Sequence, residues 1–404
     1  MSGGPTSGAE PRGGRPSRPG PGATRWDGLS GRDGEIESVE ELAALLEEHR
    51  TGEPHGRGLD GVVVQAVDLS GLDRPLRSAP VAGAIFLGCR CPADLAQSLR
   101  ARGALMFPPL PDVPFDLYRP RLYRAEELYD RLDEGYDRTL DARVYAWTRT
   151  RCRPPVLRDN LACALHDDAM TDGLDDLLAD VDDERRVGVM GGHALVRGEP
   201  GYRRAADLGA RLAEAGHLVI TGGGPGAMEA ANLGATCPAG HLAEALDLLA
   251  AAPSFSRDVT GWARCAQQVR RSWPEGPAHP SVGIPTWFYG HEPPNPFATH
   301  VAKYFSNALR EDVLLDRCRG GLVYLPGAAG TLQELFQAFT GNYYATDESD
   351  ITPLVLLGRE HWSTTLPAWG LLEVASGSRP VSRHVHLVDT VEEAIDALAS
   401  SVAR

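Results

Sequence analysis

Two glycine-rich stretches in the second half of the chain combine small residues, a hydroxyl and carboxylates in an order suited to holding an anion. The first is Thr221-Gly222-Gly223-Gly224-Pro225-Gly226-Ala227-Met228-Glu229-Ala230-Ala231-Asn232. It follows a predicted strand and opens a predicted helix, so the backbone can pass close to a ligand and offer it free N–H groups at the positive end of a helix dipole. A tight strand-to-helix turn without a ligand uses the same glycines, and a glycine run alone has little specificity. The second is Leu325-Pro326-Gly327-Ala328-Ala329-Gly330-Thr331-Leu332-Gln333-Glu334-Leu335, again between a strand and a helix, with Thr331 adding a hydroxyl. Thr331 and Glu334 also fit a capping box, which would satisfy helix-end N–H groups without any part in chemistry. Upstream, Lys303, Asn307 and Arg310 recur at helical spacing and share one face, either a cationic surface for a phosphate or a solvated polar face. Of the 40 basic residues, Lys303 alone is lysine.

These loops need strands and helices to aim them. From Val187 onward strand and helix patterns alternate: Val187–Met190, helix Tyr202–Ala215, Leu218–Thr221, and a helix from Gly226. The rhythm resumes with Val282–Phe288, a helix from Phe297 to about Asp316, Leu322–Leu325, helix Thr331–Phe339, Leu354–Leu357, Val385–Val388 and helix Val391–Leu398. Such alternation predicts an α/β fold, a Rossmann-like doubly wound parallel sheet with its ligand site at the carboxyl ends of the strands. Residues 36–150 read as a smaller N-terminal α/β module. It holds a helix opened by the capping box Ser38–Glu41, apolar runs Val62–Val67, Ala84–Leu87 and Leu105–Phe107, a helix Pro92–Arg102, and a long helix pattern from about Ala125 to Thr150. A helical connector over 151–186 and an insertion over about 236–281 complete the plan, after a Gly/Pro-rich disordered tail over 1–35.

The pair GGGPGAMEAAN and PGAAGTLQE resembles the two signatures of LOG-type nucleoside 5′-monophosphate phosphoribohydrolases, a family of Rossmann-like homo-oligomers. The likeness extends over roughly 187–400 in layout. It implies cleavage of the N-glycosidic bond of a nucleoside 5′-monophosphate to free base and ribose 5-phosphate. By position, Glu334 matches the catalytic glutamate and Arg310 the catalytic arginine; Gly222, Gly223, Gly224, Gly327, Gly330 and Thr331 match the phosphate cradle. Arg310 stands sixteen residues before Pro326, one more than usual, and Ala328 and Gln333 depart from the common glycine and glutamate. The chemistry suits the residues. An oxocarbenium-like sugar is stabilised by a neighbouring carboxylate such as Glu334, and a 5′-phosphate by Lys303 and Arg310. Glu229, a turn into the first helix with Gly226 at its start, could hold ribose hydroxyls or merely favour the helix amino end. The run Trp287–Glu292 could stack on a base, though aromatics there more often serve a core. The alternative function is a non-catalytic sensor of a nucleotide-derived ligand, as in related SMF/LOG-type domains; such a sensor should lack the carboxylate and the arginine.

Composition excludes other classes. A net charge of −15, from 40 basic and 55 acidic residues, repels a polyanion, so no nucleic-acid partner is expected. The seven cysteines are scattered and show no zinc or redox spacing, which points to reduced thiols in a cytoplasm and to no metal site. The first 32 residues lack the apolar core of a signal peptide, and no run reaches the roughly 18 apolar residues of a membrane span, so no membrane partner is expected. No cofactor is called for: pyridoxal phosphate would need a Schiff-base lysine, and Lys303 has no such surroundings in the sequence. A homodimer or higher homo-oligomer is expected from the resemblance.

Overall fold

Short aliphatic runs become strands wherever a helix can cover them, and the chain builds two parallel sheets on that rule. The computed structural model describes residues 35–51, 58–151, 156–288 and 292–402. Strands β1 (Glu35–Ile36), β2 (Val63–Gln65), β3 (Ile85–Leu87) and β4 (Leu105–Phe107) pair in sequence order. Their core gathers Ile36, Val64 and Phe86 with Leu42, Leu76, Leu95 and Leu99 of the intervening helices.

The larger sheet comprises β5 (Arg186–Met190), β6 (Leu218–Thr221), β7 (Ser281–Gly283), β8 (His300–Val301), β9 (Gly321–Tyr324), β10 (Leu354–Leu357) and β11 (Val385–Val388). Its order is β11-β10-β9-β5-β6-β7-β8, parallel throughout. The fold is α/β, a doubly wound sheet. Alternate residues of each strand feed opposite cores: Val187, Val189, Val219, Val323 and Val355 face the helices Pro200–Glu214, Ala227–Thr236 and Val391–Val402, whereas Met190, Ile220, Leu322, Tyr324 and Leu356 face the other side. Among the described residues, no helix is long and apolar enough to cross a membrane.

Several elements differ from expectation. The pattern read as one helix over Ala125–Thr150 breaks into Ala125–Leu128, two 3-10 turns and Leu140–Arg151, because Arg131 and Gly135 both take positive φ. The helix expected from Phe297 begins only at Asn307. Ahead of it, Val301, Ala302 and Tyr304 donate their N–H groups to Tyr123, Gly283 and Pro285, so this backbone is committed to sheet pairing. Phe115, Tyr123, Val144, Trp147, Met170 and Leu174 enter the core of the larger sheet. By core membership the two units therefore meet between Ala104 and Phe115, ahead of the boundary expected at residue 150. The 236–281 stretch contains the helices Leu242–Leu249 and Val259–Arg271. The expected tail lies, up to residue 34, outside the described residues, and Glu35 already opens β1.

Candidate active site

In the larger sheet the chain winds outward from β5 in one direction through β6 and in the other through β9, so the winding reverses between β5 and β9. Crevices outside the carboxyl ends of strands at such a reversal are where doubly wound sheets bind ligands. Three loops leave there side by side: Gly191–His193 after β5, Gly222–Gly226 after β6 and Pro326–Ala328 after β9. They are tied by backbone bonds, Gly192 N–H to Pro326 O at 3.1 Å and Ala227 N–H to Gly192 O at 3.1 Å. The approach is close enough to demand glycine at Gly226, which has φ +76° and whose added Cβ would stand 2.5 Å from Gly192 O. The helix Ala329–Tyr343 starts without a side-chain cap among the described residues, and Ala328–Gly330 are exposed. Because that helix begins at Ala329, Thr331 sits inside its first turn and does not form a capping box with Glu334.

Glu334 instead meets Arg310. Ser306 caps the helix Asn307–Arg317, accepting from Leu309 N–H at 3.3 Å, and thereby sets the rotation that turns Arg310 inward. Arg310 Nη1 lies 3.2 Å from Glu334 Oε1 and 2.6 Å from Glu311 Oε2. A Cβ on Gly222 would stand 3.1 Å from Arg310 Nη2, so the guanidinium lies directly against the first glycine loop. Its Nε is buried without a hydrogen-bond partner among the described residues. Two carboxylates thus share one buried cation. Burial pushes the Glu334 carboxyl up to about 7, with Glu311 adding to the rise and Arg310 opposing it. A carboxyl poised near neutrality can exchange a proton during a reaction.

Two family models match this part of the chain: "Possible lysine decarboxylase" over residues 267–398 and "SLOG cluster4 family" over 184–243. A cytokinin riboside 5′-monophosphate phosphoribohydrolase of Mycobacterium tuberculosis is 35% identical over 94 residues, 23% of this chain and 48% of that protein. The matched stretches, residues 184–243 and 267–398, are LOG-type in sequence. The chain spans about half the length of that curated relative. Solved structures similar to part of this chain include the molybdenum cofactor carrier protein of Chlamydomonas reinhardtii, at 20% identity, 54% coverage of this chain and 98% of that one, TM-score 0.32. Another is a molybdenum cofactor binding protein of Rippkaea orientalis, at 17% identity, 54% and 96% coverage, TM-score 0.31.

Arg310 is in direct contact with both Glu334 and Gly222. Gly327 and Thr331 adjoin one another, since a Cβ on Gly327 would overlap the Thr331 side chain. Two expected ligand residues sit elsewhere. Lys303 precedes the helix rather than riding on it and is fully buried, its Nζ 2.5 Å from Asp141 Oδ1; the cost of burying an ammonium is offset by that carboxylate, not by a phosphate. Glu229 is equally enclosed. Arg197 Nε binds it at 2.9 Å, and the same guanidinium lies over the Trp262 ring, so this carboxylate is already paired where it borders the cavity beside His193 and Gly226. Of the aromatic run, Trp287 is core and Phe288 exposed, whereas Tyr289–His291 lie outside the described residues.

Three neighbours escaped the sequence reading. Glu311 lay hidden beside Arg310, because its role depends on burial rather than spacing. Glu292 places Oε1 3.4 Å from Nδ1 of His193, in the loop after β5. His361, just after β10, accepts the Gly327 N–H at 3.3 Å through Nε2. Its place at a strand's carboxyl end was the available signal.

Proposed function

We propose that the chain hydrolyses the N-glycosidic bond of a nucleoside 5′-monophosphate, releasing free base and ribose 5-phosphate, and that it does so as a homo-oligomer. The observation that carries this reading is the buried Arg310–Glu334 pair at 3.2 Å, set against the first glycine loop where the sheet reverses its winding. The 5′-phosphate would rest on the exposed N–H groups at Ala328–Gly330, with charge supplied by Arg310, whose unpartnered Nε can turn to an anion. Glu334 would then face the ribose, stabilising positive charge at the anomeric carbon as the base departs and taking a proton from the attacking water. With its pKa raised to about 7, the group is available in both protonation states near neutrality. The likeness to a phosphoribohydrolase supports the same reaction class.

The test is a chromatographic assay of the purified protein against a panel of nucleoside 5′-monophosphates and the matching nucleosides. At least one monophosphate should yield base and ribose 5-phosphate while its nucleoside stays largely intact, because the phosphate supplies the positioning energy. Tight binding of a monophosphate with no base released would replace hydrolysis by ligand sensing.

A further inference from the structure

A cavity of about 360 Å³ opens beside the amino end of the Arg310 helix, and most of its wall comes from outside the residues matched by the family models. Trp287 and Phe288, following β7, and Phe305, preceding the helix, form the aromatic side; Trp287 and Phe305 stack at 4.7 Å with planes 27° apart. The opposite side belongs to the helices Leu140–Arg151 and Leu157–Leu178, through Tyr145 on the first and Asn160 and Ala164 on the second. The shape is held from beneath. Trp287 Nε1 donates to Asp141 Oδ1 at 2.9 Å, and both oxygens of Asp167 accept backbone N–H groups, from Phe305 and Ser306, at 2.8 Å each.

Position ties this cavity to the candidate active site. Ser306 lines it and also caps the helix that carries Arg310 one turn later. A molecule spanning both would place a flat, largely apolar end among the aromatics and an anionic end at Arg310 and the glycine loops. A volume of 360 Å³ lies near the lower limit for small-molecule pockets, enough for a planar ring system though not for an entire nucleotide. A two-ring purine covers more of the aromatic wall than a single-ring pyrimidine. Asn160 and Arg149, both exposed at the rim, offer amide and guanidinium groups to ring nitrogens and exocyclic substituents.

We propose that this cavity receives the purine base of the nucleotide, so that the helices Leu140–Arg151 and Leu157–Leu178 set which substrate the LOG-type domain accepts. The proposal rests on the phosphoribohydrolase reading for its ligand, and its test separates the two. Two variants change exposed positions: F288A removes a stacking surface and A164F fills the cavity from the helix side, with melting temperature as the folding control. For adenosine or guanosine 5′-monophosphate, kcat/KM should drop about tenfold or more in both variants, while inhibition by ribose 5-phosphate stays unchanged. Wild type should also favour these over uridine and cytidine 5′-monophosphates. Unchanged kcat/KM in both variants, or an equal loss of ribose 5-phosphate affinity, overturns the cavity and leaves the hydrolysis standing. If wild type cleaves nothing, calorimetric titration with adenosine 5′-monophosphate decides. Binding that A164F abolishes keeps the cavity and refutes hydrolysis, whereas no binding overturns both.

Discussion

Glu334 carries an energetic cost in the folded state that its proposed chemistry would use. In the unfolded chain the carboxyl titrates near its ordinary value of 4.5, whereas burial beside Glu311 raises it to about 7 in the fold. The stability associated with this group is therefore full below about pH 4.5 and declines as pH rises through about 7, because the unfolded state releases the proton first. E334Q, neutral at every pH, should flatten that decline in denaturant midpoints measured between pH 5 and 8, while turnover falls roughly a hundredfold or more. Retained turnover would remove Glu334 from the mechanism, and an unchanged pH slope would place the titration elsewhere. Arg310 is the complementary case. R310A leaves Glu311 and Glu334 without their shared cation, so it should weaken kcat/KM by about 2 kcal/mol or more and lose more stability at pH 8 than at pH 5. R310K should recover only part of the rate, since an ammonium keeps the charge but lacks the planar fork. Equal loss of stability at both pH values would mean that the two carboxylates do not depend on Arg310.

At the scale of elements, the two glycine loops differ in what their glycines are for. Gly226 is needed by the fold: its φ of +76° and its approach to Gly192 O make G226A costly, by about 1–3 kcal/mol, whether or not a ligand binds. Gly330 stands in open space, where an added Cβ meets nothing within 4 Å. G330A should therefore leave the melting temperature level or higher while raising KM for a monophosphate, if a phosphate approaches that backbone. An unchanged KM would move the phosphate away from the helix start. Sequence could reveal the loops, because glycine runs between an apolar strand and a helix leave a local mark, and it placed β9 and β10 within a residue. It could not show that the backbone after His300 is held by Tyr123 and Gly283, contacts made by residues far away in sequence. Periodicity alone therefore extended the Arg310 helix back to Phe297 and put Lys303 on it. The same blindness hid Glu311 and made Glu229 look available, since each depends on a burial partner that no spacing rule names.

Across the whole molecule, residues 115–178 pack onto one face of the larger sheet, and Lys303–Asp141 is a fully buried ion pair in that junction. Asp141 Oδ1 takes both Lys303 Nζ and Trp287 Nε1, while Oδ2 accepts the Tyr136 hydroxyl at 2.7 Å. One carboxylate therefore ties the helix Leu140–Arg151 to the segments following β7 and β8. Burial pushes the Lys303 ammonium below its ordinary pKa and Asp141 opposes that shift, the mark of a charge kept in the interior by its partner. Removing one member should be worse than removing both charges. K303M strands a buried carboxylate and should cost about 3–5 kcal/mol in denaturant-induced unfolding, whereas K303M combined with D141N should regain much of that loss. Because the Lys303 ammonium is paired with Asp141, kcat/KM per folded molecule for a monophosphate should change little in K303M. A K303M protein with wild-type stability and a selective loss of monophosphate affinity would return Lys303 to the phosphate. The double variant matters most for the base cavity, since D141N keeps an acceptor for Trp287 Nε1. If it regains stability yet discriminates less well than wild type between purine and pyrimidine monophosphates, the junction acts on substrate choice by orienting the indole rather than by holding the fold together.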